Sequence, residues 1–330
     1  MNNTKTAFVT GGTGFLGINL IQQLVSNGWE VTALHRSSSN LTNLKTLDIK
    51  FKAGNIHDVD SLEKAMPQGV DAVFHVAGNV NFWSLKNAVQ TKDNVDGTRN
   101  MVSTALKLKS HRFIHTSTIG TYGFHSEIIT EQTPSTASHS WINYVRSKWL
   151  AEEEVRKGIN QGLDAVIINP CNIIGPYDYN NWSQMFKGIH DRKLPGVPSG
   201  AGSFCHVREV AKAHITAFEK GKSGSNYICA GADATYGEMV ELMSQLLGHE
   251  KPPKVLSSFL LRIIGRLSLW VSYLTRKEPD LTPEMVYMLT NRIVASSEKA
   301  EKELGYQPVP LKLMLEDCYH WMNKEGLFST

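Results

Sequence analysis

Short apolar runs alternate with longer stretches in which apolar residues recur every three or four positions. Ala7, Phe8 and Val9 make a first buried strand. Residues 15–25 then place Leu16, Leu20, Ile21 and Leu24 on one helical face, with Gly28 where a helix stop is expected. The same reading gives strands at 30–35, 49–53, 71–77, 112–116 and 165–169. Further helices are expected at 58–66, capped by Asp58, at 94–107 and at 144–157. Such alternation predicts an α/β fold, a doubly wound parallel sheet with helices on both faces. We expect it over residues 1–170, with further core strands from about 204–232. A smaller, mostly helical C-terminal substrate portion, discontinuous over 171–330, would complete the chain. No fixed-period repeat or low-complexity tract interrupts this pattern.

Composition changes the picture little. The 330 residues are 41% hydrophobic and 20% charged, ordinary for a globular chain with a sizeable core. The net charge of +3 comes from scattered Lys and Arg, so no nucleic-acid partner is expected. Cys171, Cys205, Cys229 and Cys318 form no C-x-x-C pair, which points to buried reduced thiols, no metal site and a cytoplasmic location. The N-terminus has no apolar signal-peptide core. No stretch reads as a membrane span; the nearest, 255–274, is interrupted by Arg262 and Arg266.

The first strand leads into Thr10-Gly11-Gly12-Thr13-Gly14-Phe15-Leu16-Gly17. In this spacing Gly11 permits a tight turn, Gly14 lets backbone approach a phosphate, and Gly17 lets the helix pack on the sheet. The free N–H groups of the helix N-terminus then face a pyrophosphate. A strand before and a helix after make this the Rossmann dinucleotide-binding arrangement. Sites for NAD usually carry Asp or Glu at the end of the second strand; here Leu34-His35-Arg36-Ser37-Ser38 has no carboxylate. Arg36, with Ser37, suits the 2′-phosphate of NADP(H); the alternative is a solvated surface arginine.

Tyr144 and Lys148 stand four apart, one turn of helix. An ammonium beside a phenol lowers its pKa, so Tyr144 could protonate a developing alkoxide. The surrounding motifs are Gly54-Asn55-Ile56, Phe74-His75-Val76-Ala77-Gly78, Asn94-Val95-Asp96-Gly97-Thr98, Thr116-Ser117-Thr118, Tyr144-x-x-Ser147-Lys148-x-x-Ala151-Glu152 and Pro170-x-x-x-x-Gly175-Pro176. With these, most of the chain resembles the extended short-chain dehydrogenase/reductase family, of the NAD-dependent epimerase/dehydratase superfamily. The resemblance implies that Thr118 bonds the substrate carbonyl beside Tyr144, that Lys148 also bonds the nicotinamide ribose, and that Asn94 shapes the catalytic site. It implies adenine contacts at Asn55 and Ile56 and a ribose wall at Ala77 and Gly78. Thr116 and Ser117 would stand beside the cofactor, and Pro170, Cys171, Asn172 and Ile173 would hold the carboxamide. Ile119-Gly120 after Thr118 departs from the Asp-Glu of the sugar dehydratases, and Arg36 departs from the acidic residue of the epimerases.

The nearest resemblance is to dihydroflavonol 4-reductase-like and 3β-hydroxysteroid dehydrogenase-like members. It implies reversible reduction of a ketone or aldehyde on a mostly apolar or aromatic small molecule. Val80, Phe82, Trp83, Trp141, Tyr177 and Trp182 are candidate substrate walls, with interdomain packing as their other reading. Lys187, Arg192 and Arg208 keep a nucleotide-sugar reading open, and a non-catalytic NADP(H)-binding sensor is the reading from another class. The apolar segment 256–274 reads as a lid, a homodimer face or a peripheral membrane helix.

Overall fold

A computed structural model of the chain describes residues 4–194 and 196–328; Met1 to Asn3, where the reading of the N-terminus begins, lie outside it. The apolar runs fold as strands β1 (Thr6–Thr10), β2 (Glu30–His35), β3 (Lys50–Ala53), β4 (Ala72–His75), β5 (Arg112–Thr116), β6 (Ala165–Pro170), β7 (Asn172–Ile174), β8 (Ala201–His206), β9 (Asn226–Cys229), β10 (Ala232–Thr235) and β11 (Arg292–Ile293). Seven of these form one sheet in the order β3-β2-β1-β4-β5-β6-β9, with every neighbouring pair parallel.

The period of two along each strand divides the core. Ala7 and Val9 of β1, Phe74 of β4 and Ile114 of β5 point to one face, where the helices Phe15–Ser26 and Val207–Lys220 cover them. Phe8, Val73 and Phe113 point to the other, against Leu62, Met101 and Val155 of the helices Val59–Ala65, Gly97–Lys107 and Asn143–Asn160. Burial on both faces is why these strands read as unbroken apolar runs. Asp58 caps its helix by accepting from the Ser61 N–H at 3.2 Å.

The helix expected at 94–107 starts earlier. It runs from Asn87, with a π-helical turn over Lys92–Asp96 that carries Asn94. Such bulges re-aim side chains and recur at functional sites.

The remainder is less purely helical than its sequence suggests. β8 pairs antiparallel with β10 along one edge, and parallel with β7 and β11 along the other. The helices Trp182–His190, Tyr236–Leu246 and Leu311–Lys324 enclose a separate core of Phe186, Phe204, Met239, Met243 and Met314. Within 204–232, β9 belongs to the large sheet and the helix Val207–Lys220 packs on it, whereas β8 belongs to the small sheet.

Candidate active site

The large sheet reverses direction of winding between β1 and β4, and at such a switch point the loops beyond the strand ends part to leave a crevice. A cleft of about 1080 Å³ opens there, bounded by the loops after β1, β2, β3, β4, β5 and β6 and by the smaller portion of the molecule.

At one end the Gly-rich loop is drawn tight. Gly11 has φ +70°, and a Cβ there would lie 2.6 Å from the backbone nitrogen of Ala77. A Cβ on Gly17 would strike the Gly11 carbonyl. The helix Phe15–Ser26 starts after Gly14 with no side-chain cap and no acidic residue in its first turn, leaving its N–H groups for an anion.

Gly11, Thr13, Gly14, Phe15, Leu16 and Gly17 all line the cleft, as do Arg36, Asn55, Ile56, Ala77 and Gly78. Ser37 does not. The chain turns back after Arg36, with the Ser39 N–H on the Arg36 carbonyl at 2.9 Å, so Ser39 reaches the cleft instead. Its hydroxyl accepts from the Arg36 N–H at 3.1 Å. A run of serines marked this turn without telling which one would face inward.

In the middle stand Thr116, Ser117, Thr118, Tyr144 and Lys148, with Pro170, Cys171, Asn172 and Ile173 opposite. Thr118 follows β5, and its hydroxyl accepts from the Gly120 N–H at 3.2 Å. Tyr144 is held edge-on by Phe82, ring centroids 5.4 Å apart. Lys148 is buried, and its ammonium donates to the Thr116 carbonyl at 2.8 Å. Burial pushes that ammonium down to about 8, opposed by the charge of Glu152.

The phenol departs from expectation. Burial raises the pKa of Tyr144, and it is the Thr118 hydroxyl, by hydrogen bonding, that pulls the other way. The expected lowering by Lys148 does not outweigh burial here; the ammonium donates to the Thr116 carbonyl. A raised phenol stays protonated at neutral pH.

Asn94 lies behind this surface. Its side chain accepts from the Asn79 N–H at 2.7 Å and donates to the Ser147 hydroxyl at 2.9 Å, tying the loop after β4 to the helix that carries Tyr144. Glu152, which sequence reasoning quoted only as part of a motif, is the hub of a buried network. One carboxylate oxygen accepts from Ser117, Thr121 and Asn169 at 2.5, 2.8 and 2.7 Å, and the other from Asn226 and Arg156 at 3.1 and 3.2 Å.

The far end divides the substrate candidates. Val80, Phe82 and Trp182 line it. Trp83 is buried, its indole donating to Ser272 at 3.0 Å. Trp141 is half exposed and edges against Tyr287. Tyr177 packs on Trp321 and accepts from the Gln22 amide at 2.9 Å. In place of these three, Met185, Tyr236, Met285, Met288, Leu289 and Ile293 complete the wall. Most come from segments over a hundred residues beyond Tyr144, with no local motif to point to the cleft.

Lys187, Arg192 and Arg208 are absent from the cleft lining among the described residues. Arg208 is spent on Asp317 at 3.1 Å. The polar groups at the apolar end are Asn180, Asn181, Gln184 and Asp280, none of them cationic. No group of His, Cys, Asp or Glu among the described residues is arranged to hold a metal ion, and all four cysteines are buried and free.

The sequence pattern of the NAD dependent epimerase/dehydratase family matches residues 7–230. A Synechocystis protein named "Putative dihydroflavonol 4-reductase" is 30% identical, the alignment covering 98% of this chain and 96% of that one. Sterol demethylase protein B of Methylococcus capsulatus is 28% identical, with 98% and 99% covered. Among solved structures, that of gox2253 superposes with a TM-score of 0.85 at 33% identity, covering 98% of this chain and 99% of the other.

Proposed function

This chain belongs to the NAD dependent epimerase/dehydratase family and is an oxidoreductase, and on that premise we propose that it is an NADP(H)-dependent reductase of a ketone or aldehyde on a mostly apolar small molecule. The observation that carries the reading is the cleft itself. One end offers a phosphate-binding loop and an arginine, the middle holds Thr118, Tyr144 and Lys148, and the far end is apolar.

The residues present fit a dinucleotide. The uncapped helix N-terminus behind Gly14 suits the pyrophosphate, and Arg36 suits a 2′-phosphate. When bound, the reduced nicotinamide supplies hydride to the carbonyl carbon. Thr118 donates a hydrogen bond to the carbonyl oxygen and polarises it. Tyr144, protonated at neutral pH, delivers the proton to that oxygen as it becomes an alkoxide. Lys148 keeps a positive charge beside this exchange, and the apolar far wall excludes water and binds the rest of the substrate.

Apolar carbonyl compounds fit better than nucleotide-sugars because no Lys or Arg among the described residues lines the substrate end to meet a diphosphate. Retention of all three catalytic groups favours an enzyme over a binding-only sensor. Four buried, free thiols support a reducing compartment, and we extend the reading to the cytoplasm. The test is NADPH consumption across aromatic aldehydes, aliphatic ketones, β-keto compounds and nucleotide-sugars. Turnover of an apolar carbonyl is expected; turnover confined to nucleotide-sugars, or none with any carbonyl, overturns the reading.

A further inference from the structure

The helix Ser258–Thr275 buries only Leu261, Gly265 and Ser272. That stripe rests on the neighbouring helix Pro283–Thr290 and on Trp83. A Cβ on Gly265 would stand 3.0 Å from the Val286 side chain, and the Trp83 indole donates to the Ser272 hydroxyl. At 3.6 residues per turn, Phe259, Ile263, Leu267, Trp270 and Leu274 fall on another face. Phe259, Trp270 and Leu274 are 73%, 72% and 86% exposed. None of these five lines the cleft, so the face is not the inner side of a lid. Water-facing apolar patches on this scale mark interaction surfaces.

The charge around this face is one-sided. Lys251, Lys254, Arg262, Arg266, Arg276 and Lys277 lie in the segment 251–277, which contains no Asp or Glu. The whole chain carries a net charge of only +3, so the rest of it is net acidic. The next carboxylate along, Glu278, is taken up by Lys86 at 2.6 Å. Arg262 and Arg266 lie along one edge of the apolar stripe, Arg276 and Lys277 follow the helix C-terminus, and Lys251 and Lys254 lie in the segment leading into the helix. Two copies meeting through this face would bring like charges together, since a two-fold interface is self-complementary. No helix of the described chain is long and apolar enough to cross a membrane.

We propose that the helix Ser258–Thr275 docks the protein on an anionic lipid surface. The helix lies in the plane of the surface. Its apolar stripe enters the boundary between headgroups and acyl chains, and its six surrounding cations face the anionic headgroups. The helix packed beneath it supplies Met285, Met288 and Leu289 to the cleft, so docking holds the apolar end of the cleft close to the lipid. That last consequence rests on the reductase reading; the docking itself does not.

The full chain is co-sedimented with vesicles of phosphatidylcholine alone and of phosphatidylcholine mixed with phosphatidylglycerol. Binding to the anionic vesicles is expected, weak binding to the neutral ones, and loss of binding as salt rises. The Arg262→Ser/Arg266→Ser variant should weaken anionic binding by up to about 25-fold, at about fivefold for each cation. The Leu267→Ser/Trp270→Ser/Leu274→Ser variant should lose vesicle binding while still binding NADPH, which shows that it is folded. No binding at low salt, equal binding to both vesicle types, or full binding by the triple variant overturns the proposal. Sedimentation velocity without vesicles separates the other occupant: a wild-type dimer that the triple variant converts to monomer makes the face a contact between copies and also overturns it. Because the readout is sedimentation, failure here leaves the carbonyl screen untouched.

Discussion

At the scale of single residues, Arg36 and Tyr144 carry the sharpest expectations. Arg36 sits at the cleft on the turn after β2, and its guanidinium is exposed. A charge-assisted hydrogen bond contributes about 1.5–3 kcal/mol, and exposure argues for the lower end. Arg36→Ala should therefore weaken NADPH binding by about tenfold, with NADH binding nearly unchanged, in a fluorescence titration of both cofactors. An equal loss for the two would sink the 2′-phosphate assignment.

Tyr144→Phe keeps the ring contact with Phe82 and removes only the hydroxyl. Turnover should fall by a factor of about 10²–10⁴ with cofactor affinity retained. Near-normal turnover would show that another group supplies the proton. The pH profile belongs to Lys148, whose ammonium is pushed down to about 8. Below that value the charge is present, and above it the charge is lost. The reductive kcat/KM should hold through neutral pH and decline on the alkaline side of about 8, rather than near the ordinary lysine value.

At the scale of elements, the helix Asn143–Asn160, which carries Tyr144 and Lys148, is fixed by Glu152, one turn beyond Lys148. That carboxylate accepts from the end of β5, the turn after it, β6 and β9 at once. It thereby sets where Tyr144 and Lys148 stand relative to Thr118. Glu152→Gln puts an amide N–H₂ among donors, and a buried polar group left unpaired costs about 1–3 kcal/mol. A lowered Tm is expected. A purely structural role would stop there. Because the Glu152 charge raises Lys148, its loss should also move the alkaline limb of the pH profile to lower pH. An unmoved limb in a folded Glu152→Gln protein would show that the carboxylate only braces the helix.

At the scale of the whole molecule, three imidazoles are enclosed by the large sheet and its helices. Burial, with the charge of Lys148, pushes His75 down to about 3; burial pushes His214 down to about 4, and His115 lies well below its ordinary value. Each is neutral in the folded chain, while the unfolded chain binds protons from about 6.5 downward. The folded state has its full stability from this source above that value. It loses about 1.4 kcal/mol per pH unit for each of His75 and His214 as pH falls toward 4, and His115 adds a loss in the same direction. Urea midpoints measured from pH 7 to pH 5 should fall steeply. A flat profile would mean that these histidines are not held neutral.

Much of what depends on near neighbours in the chain was legible in the sequence, although the π-helical turn at Lys92–Asp96 and the tight turn from Arg36 to Ser39 were not. The period of two in β1, β4 and β5 places side chains on alternate faces, the Gly11, Gly14 and Gly17 spacing bends strand into helix, and the i, i+4 relation of Tyr144 and Lys148 puts both on one helix face. These are local consequences of backbone geometry, and they located the sheet, the Gly-rich turn at its switch point and the pair of side chains proposed for catalysis. Tertiary structure decided what local pattern cannot encode: which side of a residue another element covers. Trp83 and Tyr177 are taken by Ser272 and Trp321, and Met285 and Leu289 arrive from a distant helix. The direction of the Tyr144 shift depends on burial and on the opposing hydrogen bond with Thr118, neither of which the spacing to Lys148 reveals. An apolar helix at 258–275 reads alike in sequence whether its faces are covered or bare, because hydrophobicity states a preference and only packing decides whether it is met.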